Sequence, residues 1–350
     1  MSKSLIPPDI RAEVRNASGT RERDLAGKLG ISEAELIAAF TGYGATRLAA
    51  SPDHIMPAIE TLGEVMALTR NPSAVHEKVG RYDNFHAGDH AAMVLAEAID
   101  LRIFPKHWVH AFAVEKETDA GLRRSVQVFD AAGDAVHKVF LRSGSDLAAW
   151  DRLVGALATG ETAQTLDVVD RVPAEAPKAD PARRETLQKE WRRLTDTHQF
   201  LRLCSKLKMN RLGAYRIAGA PFVRALDPGS VSPMLEAVRD AGIEIMLFVG
   251  NRGCIQIHSG PVETLKPMGP WQNILDPGFN LHLRADHVAE VWAVEKPTQR
   301  GPAVSVEAFD QDGALIFQVF GVGKEGRDSR PAWGRIVEGL RGRADLEAAQ

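Results

Sequence analysis

Residues 101–140 read LRIFPKHWVHAFAVEKETDAGLRRSVQVFDAAGDAVHKVF, and residues 281–320 read LHLRADHVAEVWAVEKPTQRGPAVSVEAFDQDGALIFQVF. One segment lies on the other without a gap: Ala113-Val114-Glu115-Lys116 on Ala293-Val294-Glu295-Lys296, Phe129-Asp130 on Phe309-Asp310, Gly133 on Gly313, and Val139-Phe140 on Val319-Phe320. About 15 of the 41 positions from Asp100 to Phe140 match, far above chance for ungapped segments, so the chain holds two copies of one structural unit. Function is then to be sought where the copies differ.

Each copy has a strand pattern. Val109 to Val114, Ser125 to Phe129 and Ala135 to Leu141 surround a turn at Asp130-Ala131-Ala132-Gly133-Asp134; Val304 to Phe309 and Ala314 to Phe320 surround Asp310-Gln311-Asp312-Gly313. Short β-branched and aromatic runs joined by Asp/Gly turns imply antiparallel hairpins rather than parallel crossover units. Helical stretches precede both sets, so each half reads as α+β. Between Arg21 and Phe40 the helical spacing is interrupted near Gly30-Ile31-Ser32, where Ser32 can cap a new helix with Glu35 at the capping-box position.

The stretch Val172 to Ala182 is rich in proline and short of large apolar groups, which makes it the expected linker. A boundary near Pro177 gives an N-terminal repeat, 1–176, and a C-terminal repeat, 177–350. Asp180-Pro181 then predicts the start of one long helix running toward Met209, with Leu187, Trp191, Leu194, His198 and Leu201 as its buried stripe. Further helices are predicted around Asn210 to Ile217 and Pro233 to Asp240.

A chain of 350 residues that is 44% hydrophobic can bury two moderate cores, and a net charge of -3 gives no reason to expect a nucleic-acid partner. Pro7, Pro8, Asp9 and Arg11 stand where a secretion signal would need an apolar run, and no run approaches the ~18 residues of a membrane span. Cys204 and Cys254 are too few for a disulfide framework and read as buried small apolar residues. A cytoplasmic location is the expectation.

Several constellations admit two readings. His198, on the predicted apolar stripe, could offer Nε2 to a metal in a hydrophobic pocket or could be a core histidine hydrogen-bonded inside the protein; spacing does not choose. His86 and His90 lie four apart around Asp89, but Gly88 weakens a helix there and no third ligand is evident, so a solvated loop is the better reading. Gly321 to Gly326 matches a dinucleotide-binding glycine pattern, yet it follows an antiparallel hairpin and reads as a flexible loop. Lys116 and Lys296 occupy matching strand positions, as do Arg102 and His282; a lysine on a sheet is ordinarily solvated. No Gly-x-Ser-x-Gly elbow, Walker-type loop or His-Glu-x-x-His motif is present.

Longer motifs add a resemblance. Asp196-Thr197-His198-Gln199-Phe200, Asn210-Arg211, Phe248 to Asn251, Ile255 to Pro261, Gly269 to Pro277, Phe279 to Leu283 and Trp292 to Thr298 occur in an order similar to the HemS/ChuS/HmuS family of bacterial hemin-degrading and heme-trafficking proteins. Asp100 to Trp108 resembles the same family in the first half, so the likeness covers nearly the whole chain. It implies a duplicated fold with two large antiparallel β-sheets and associated helices, and one heme b held mainly by the second copy and covered by the first. It also implies His198 as the iron ligand, Arg102 as the distal arginine with Phe104 beside it, Arg211 and Lys296 as propionate contacts, and Gln318 near them.

Heme chemistry agrees with these residue types: an apolar slot for the ring, a neutral imidazole for iron and edge cations for two carboxylates. In one respect the chain departs from the family, with Gly323 in a place commonly held by arginine and Lys324 next to it. The function implied is heme uptake for iron acquisition, the protein holding one heme through His198 and transferring it or degrading it oxidatively, with Arg102 catalytic in the latter case; the alternative is a non-enzymatic carrier that delivers heme to a separate heme oxygenase. An inner-membrane heme importer and an electron donor are the implied partners.

Overall fold

The computed structural model describes residues 5–17, 19–119 and 121–343; Met1 to Ser4, part of the N-terminal stretch read above, lie outside the described residues. The first copy forms α1 (Pro7–Asn16), α2 (Glu22–Leu29), α3 (Glu33–Ala38), β1 (Ala45–Leu48), α4 (Pro52–Glu60), β2 (Val65–Arg70), β3 (Ala74–Gly80), β4 (Phe85–His86), β5 (Ala92–Leu95), β6 (Asp100–Ile103), β7 (His110–Thr118), β8 (Gly121–Phe129), β9 (Ala135–Leu141) and α5 (Leu147–Leu157). The second forms α6 (Arg184–Trp191), α7 (Gln199–Lys206), α8 (Arg211–Ala218), β10 (Val223–Leu226), α9 (Val231–Asp240), β11 (Ile245–Gly250), β12 (Cys254–Gly260), β13 (Leu265–Met268), β14 (Trp271–Asp276), β15 (Phe279–Arg284), β16 (Glu290–Lys296), β17 (Ala303–Phe309), β18 (Leu315–Gly321) and, after a short hairpin at residues 323–328, α10 (Arg330–Gly339). That hairpin corrects the reading of Gly321 to Gly326 as a loop: Gly323 and Lys324 pair with Asp328 and Arg327.

The topology is repeated. Strand order is β1-β7-β8-β9-β2 in the first copy and β10-β16-β17-β18-β11 in the second, each neighbouring pair antiparallel. The fold is α+β, with two large antiparallel sheets. Even the irregularities match, since register shifts occur at Val128/Phe129 and Ala308/Phe309.

The cause is the turn that follows. Asp130 Oδ1 accepts from the backbone N–H groups of Ala132 and Asp134, both at 3.0 Å, and Asp310 Oδ1 accepts from Asp312 at 3.0 Å and Ala314 at 2.8 Å. Gly133 and Gly313 then take φ of 77° and 83°, a conformation that favours glycine. An extra residue accommodated this way bulges the strand and tightens its twist.

Two compact units result. The first contains Met1–Arg70, His76–Val172 and Gly250–Gln256; the second contains Asn71–Val75, Pro173–Val249 and Ile257–Gln350. In the first unit one sheet face buries Ala111, Ala113, Val126 and Val128 with α4 and α5, and the other buries Phe112, Val114 and Phe129 with α1 to α3. In the second unit Val291, Val306 and Ala308 meet α9 and α10, while Val294 and Phe309 meet α6 to α8. The alternation of faces follows from the two-residue period of a strand.

The long helix predicted from Asp180 is corrected by the structure: α6 ends at Trp191 and α7 begins at Gln199. The intervening turn resets the helical phase, so Leu187, Trp191 and Leu194 are buried, but His198 and Leu201 are not. The capping box at Ser32 and Glu35 is present, both reciprocal hydrogen bonds made, and both cysteines are buried and unpaired. Among the described residues no helix is long and apolar enough to cross a membrane, and no group of three metal-ligating side chains exists, His86 and His90 included.

One buried polar chain is peculiar to the first unit. His137 is fully buried, with Tyr82 Oη 2.6 Å from Nε2 and Thr69 Oγ1 2.8 Å from Nδ1. Thr69 donates its single hydrogen to Gln256 Oε1 at 3.0 Å, so His137 carries its proton on Nδ1 and accepts from Tyr82 at Nε2. Burial pushes the His137 imidazole down to about 3. Because the unfolded chain then takes up this proton first, the contribution is complete above the ordinary histidine pKa of ~6.5 and is lost as pH falls below it. We predict that wild type loses roughly 1 kcal/mol per pH unit between pH 6.5 and 5 through this group, measured by denaturant unfolding. His137→Phe, which installs the residue found at the matching position, Phe317, should show a correspondingly shallower slope. Parallel slopes would sink the assignment.

Candidate functional site

The second unit concentrates exposed and charged groups on the side of its sheet covered by α6 to α8. His198 is the N-cap residue of α7, and its side chain is 91% exposed. Asp196 Oδ1 accepts from the His198 backbone N–H at 2.7 Å and stands 2.6 Å from Nδ1. Those two hydrogen bonds hold the Asp196 carboxyl below its ordinary range. With an ionised acceptor the neutral imidazole places its proton on Nδ1, leaving the Nε2 lone pair directed away from Asp196. Leu201, three residues on and so on the same side of the helix, is 53% exposed. The expectation of a buried histidine is therefore corrected: His198 is presented outward on a fixed tautomer.

Deeper in the unit lies a charged cluster that centres on Glu307, which has no solvent exposure. Its Oε1 accepts from Lys296 Nζ at 2.8 Å and Ser305 Oγ at 2.9 Å, and its Oε2 accepts from Arg211 at 2.9 Å and Tyr215 Oη at 2.9 Å. Burial alone would raise the Glu307 carboxyl, but Lys296 and Arg211 hold it far below the usual carboxylate range. Lys296 is itself only 4% exposed and also donates to Tyr215 Oη at 3.0 Å. The solvated lysine that a sheet position suggests is thus corrected at Lys296, whereas its counterpart Lys116 is 45% exposed and pairs with Glu22 at 2.9 Å.

Strand register places the remaining groups. Glu307 faces Gln318, and Gln318 faces Phe248, on consecutive strands β17, β18 and β11. Phe248 and Phe320 meet edge to face at 5.4 Å between ring centres. All three of Phe248, Gln318 and Phe320 are half-buried, so this part of the sheet face keeps accessible apolar surface beside a polar amide.

Arg102 and Phe104 belong to the first unit. On β6 the Arg102 guanidinium pairs with Asp100 and donates to Leu101 O at 3.1 Å. Phe104 is half-buried, its N–H bonded to Gly253 O at 3.0 Å.

The donor set suits a ferric porphyrin with carboxylate edges. An oriented imidazole is available for the metal, Leu201 and the Phe248–Phe320 pair supply apolar surface, and Arg211 and Lys296 against Glu307 sum to one net positive charge. That charge can attract one carboxylate through Arg211, whose side chain is 22% exposed, while Lys296 is occupied by Glu307.

Sequence reading found the cations and the imidazole but not Asp196, Tyr215 or Glu307. The signal for Glu307 was present, since the first copy has Gln127 at that position, hydrogen-bonded to Ser125 at 3.1 Å. We predict that Glu307→Gln, by leaving Lys296 buried without a counter-charge, costs about 3–5 kcal/mol in unfolding free energy. A variant as stable as wild type at pH 7 would show that Lys296 is not held as a buried cation.

Comparison with known proteins matches the family model described as "Haemin-degrading HemS.ChuX domain" to residues 30–157 and again to residues 208–340. The hemin transport protein HmuS of Yersinia pestis is 39% identical over 335 residues, spanning 95% of this chain and 96% of that protein. Among solved structures, the heme-binding protein PhuS of Pseudomonas aeruginosa in its holo form gives a TM-score of 0.91 at 41% identity, covering 97% of this chain and 100% of PhuS. ChuS, described as an E. coli heme oxygenase, gives 0.85 at 35% identity, covering 95% and 99%.

Proposed function

This chain belongs to the HemS/ChuX family of hemin-degrading domains, and we propose from that premise that it binds one heme b through His198 in the course of heme uptake. The observation that carries the reading is the Asp196–His198 pair: a carboxylate 2.6 Å from Nδ1 fixes the tautomer that a metal-bound imidazole needs and increases its donor strength. Heme itself supplies the iron and the conjugated ring. The chain's residues supply ligation, charge and shape.

Within the same proposal, Arg211 attracts a propionate, Gln318 offers its amide, and Lys296 acts by holding Glu307 and hence the position of Arg211. Arg102 and Phe104 remain proposed contacts, and Arg102 the proposed catalytic group if the ring is opened. We take 1–176 and 177–350 as the two repeats, the cytoplasm as the location, and an inner-membrane heme importer with a downstream oxygenase or electron donor as partners.

Titration with hemin, followed by visible absorption, tests the ligand. Wild type should give a shifted Soret band, and His198→Ala should lose or alter it. Asp196→Asn should retain binding but weaken it by about ten- to a hundredfold. A His198→Ala spectrum identical to wild type would remove His198 from the proposal.

Degradation and carriage are separated by incubating the heme complex with a reductant plus catalase and analysing for a bilin and carbon monoxide. Catalase removes peroxide that would otherwise destroy heme without enzymic help. Both products should form at a lower rate in Arg102→Ala if the protein is an enzyme. Heme recovered intact would assign it to carriage.

A further inference from the structure

The duplication supplies an internal reference for a cavity in the first unit. Placing α1 on α6 from their first residues sets Val14 on Trp191; placing β1 on β10 and α3 on α8 from their cap residues Ser32 and Asn210 sets Gly44 on Phe222 and Ile37 on Tyr215. In the second unit these rings form one cluster. The Trp191 centroid lies 5.2 Å from Phe222, 6.0 Å from Tyr215 and 4.4 Å from Phe200, and its indole N–H donates to Glu295 O at 2.9 Å.

In the first unit the same three positions carry smaller residues, and a cavity of about 420 Å3 is lined by Val14, Ile37, Gly44, Val114, Glu115 and Leu122. That volume lies within the ordinary range for small-molecule sites. Tyr43 and Leu122, 61% and 42% exposed, also line it and are apolar surface that would otherwise be buried to advantage.

The acceptor has been kept. Glu115 N–H donates to Gly44 O at 2.7 Å, as Glu295 N–H donates to Phe222 O at 2.8 Å. In an antiparallel strand the carbonyl of a residue points to the same side as its N–H. A Cβ built on Gly44 would lie 2.6 Å from Glu115 O, which places that oxygen against the glycine. Of the charged lining residues, Glu22 is paired with Lys116 at 2.9 Å and Glu115 with Arg124 at 2.7 Å, and Glu117 adds a further carboxylate. This balance disfavours an anion and suits a neutral N–H donor.

We propose that this cavity binds a neutral planar bicyclic aromatic with a ring N–H, of the indole or benzimidazole class. The ring takes the place that the Trp191 side chain fills in the second copy, and its N–H donates to Glu115 O. This site is independent of heme binding.

The test is calorimetric titration of the full chain with indole and with 1-methylindole, which has the same ring but no N–H. Indole should bind saturably at one site, and 1-methylindole about tenfold more weakly. Val14→Trp, which restores the second copy's residue, should abolish indole binding and leave the hemin spectrum unchanged. If Val14→Trp does not fold, Ile37→Phe at the Tyr215 position should weaken indole binding at least about tenfold, the added ring occupying the same space. No saturable binding of indole, equal affinity for 1-methylindole, or undiminished binding to the filled variant would each overturn the proposal.

Discussion

A sheet that is apolar on both faces must be covered on both, and this constraint organises each copy. Two helices close one face and three close the other, with the order β1-β7-β8-β9-β2 repeated as β10-β16-β17-β18-β11. The Asp/Gly turns and the bulges beside them preserve the curvature on which this covering depends. Removing water from that area supplies the main stabilisation, at about 25 cal/mol per Å2 of apolar surface. The copies differ visibly in the helical layer and in the polar residues tucked beneath it.

Both copies place a buried carboxylate in that layer, but not at equivalent positions. In the first, Glu33 accepts from Lys138 at 2.6 Å and pairs with Arg70; in the second, Glu307 is held by Lys296 and Arg211. Each solution uses one lysine and one arginine, consistent with the cost of leaving any of these charges unmatched in the interior. Lys138 occupies the position of Gln318, and Gln127 that of Glu307. The second copy thereby turns its charge toward α8, and the first toward α3.

Much of this was legible in the sequence because it is local. Strands β9, β17 and β18, the Ser32 cap and the helices at α8 and α9 follow from alternation, turn residues and caps within a few positions of one another. The break between α6 and α7 was not, because Leu187, Trp191, Leu194 and His198 keep helical spacing across a turn that interrupts the helix. Lys296 could not be placed inside by its own neighbours either. Its burial depends on Glu307, Tyr215 and Arg211, which are brought to it by β17 and α8.

One feature of the units bears on how such a protein could be taken apart. Asn71 and Asn251 cap matching hairpins: each accepts from two backbone N–H groups through Oδ1, and each donates through Nδ2, Asn71 to Ile316 O at 2.8 Å and Asn251 to Val136 O at 2.8 Å. Asn71 thus binds a strand of the second copy, and Asn251 a strand of the first. Gly253, from the same loop, receives the indole N–H of Trp108 at 3.0 Å. A fragment ending at the linker would leave Trp108 and the Val136 carbonyl without these partners. Cut at the linker, the two halves of the chain are therefore not separable modules.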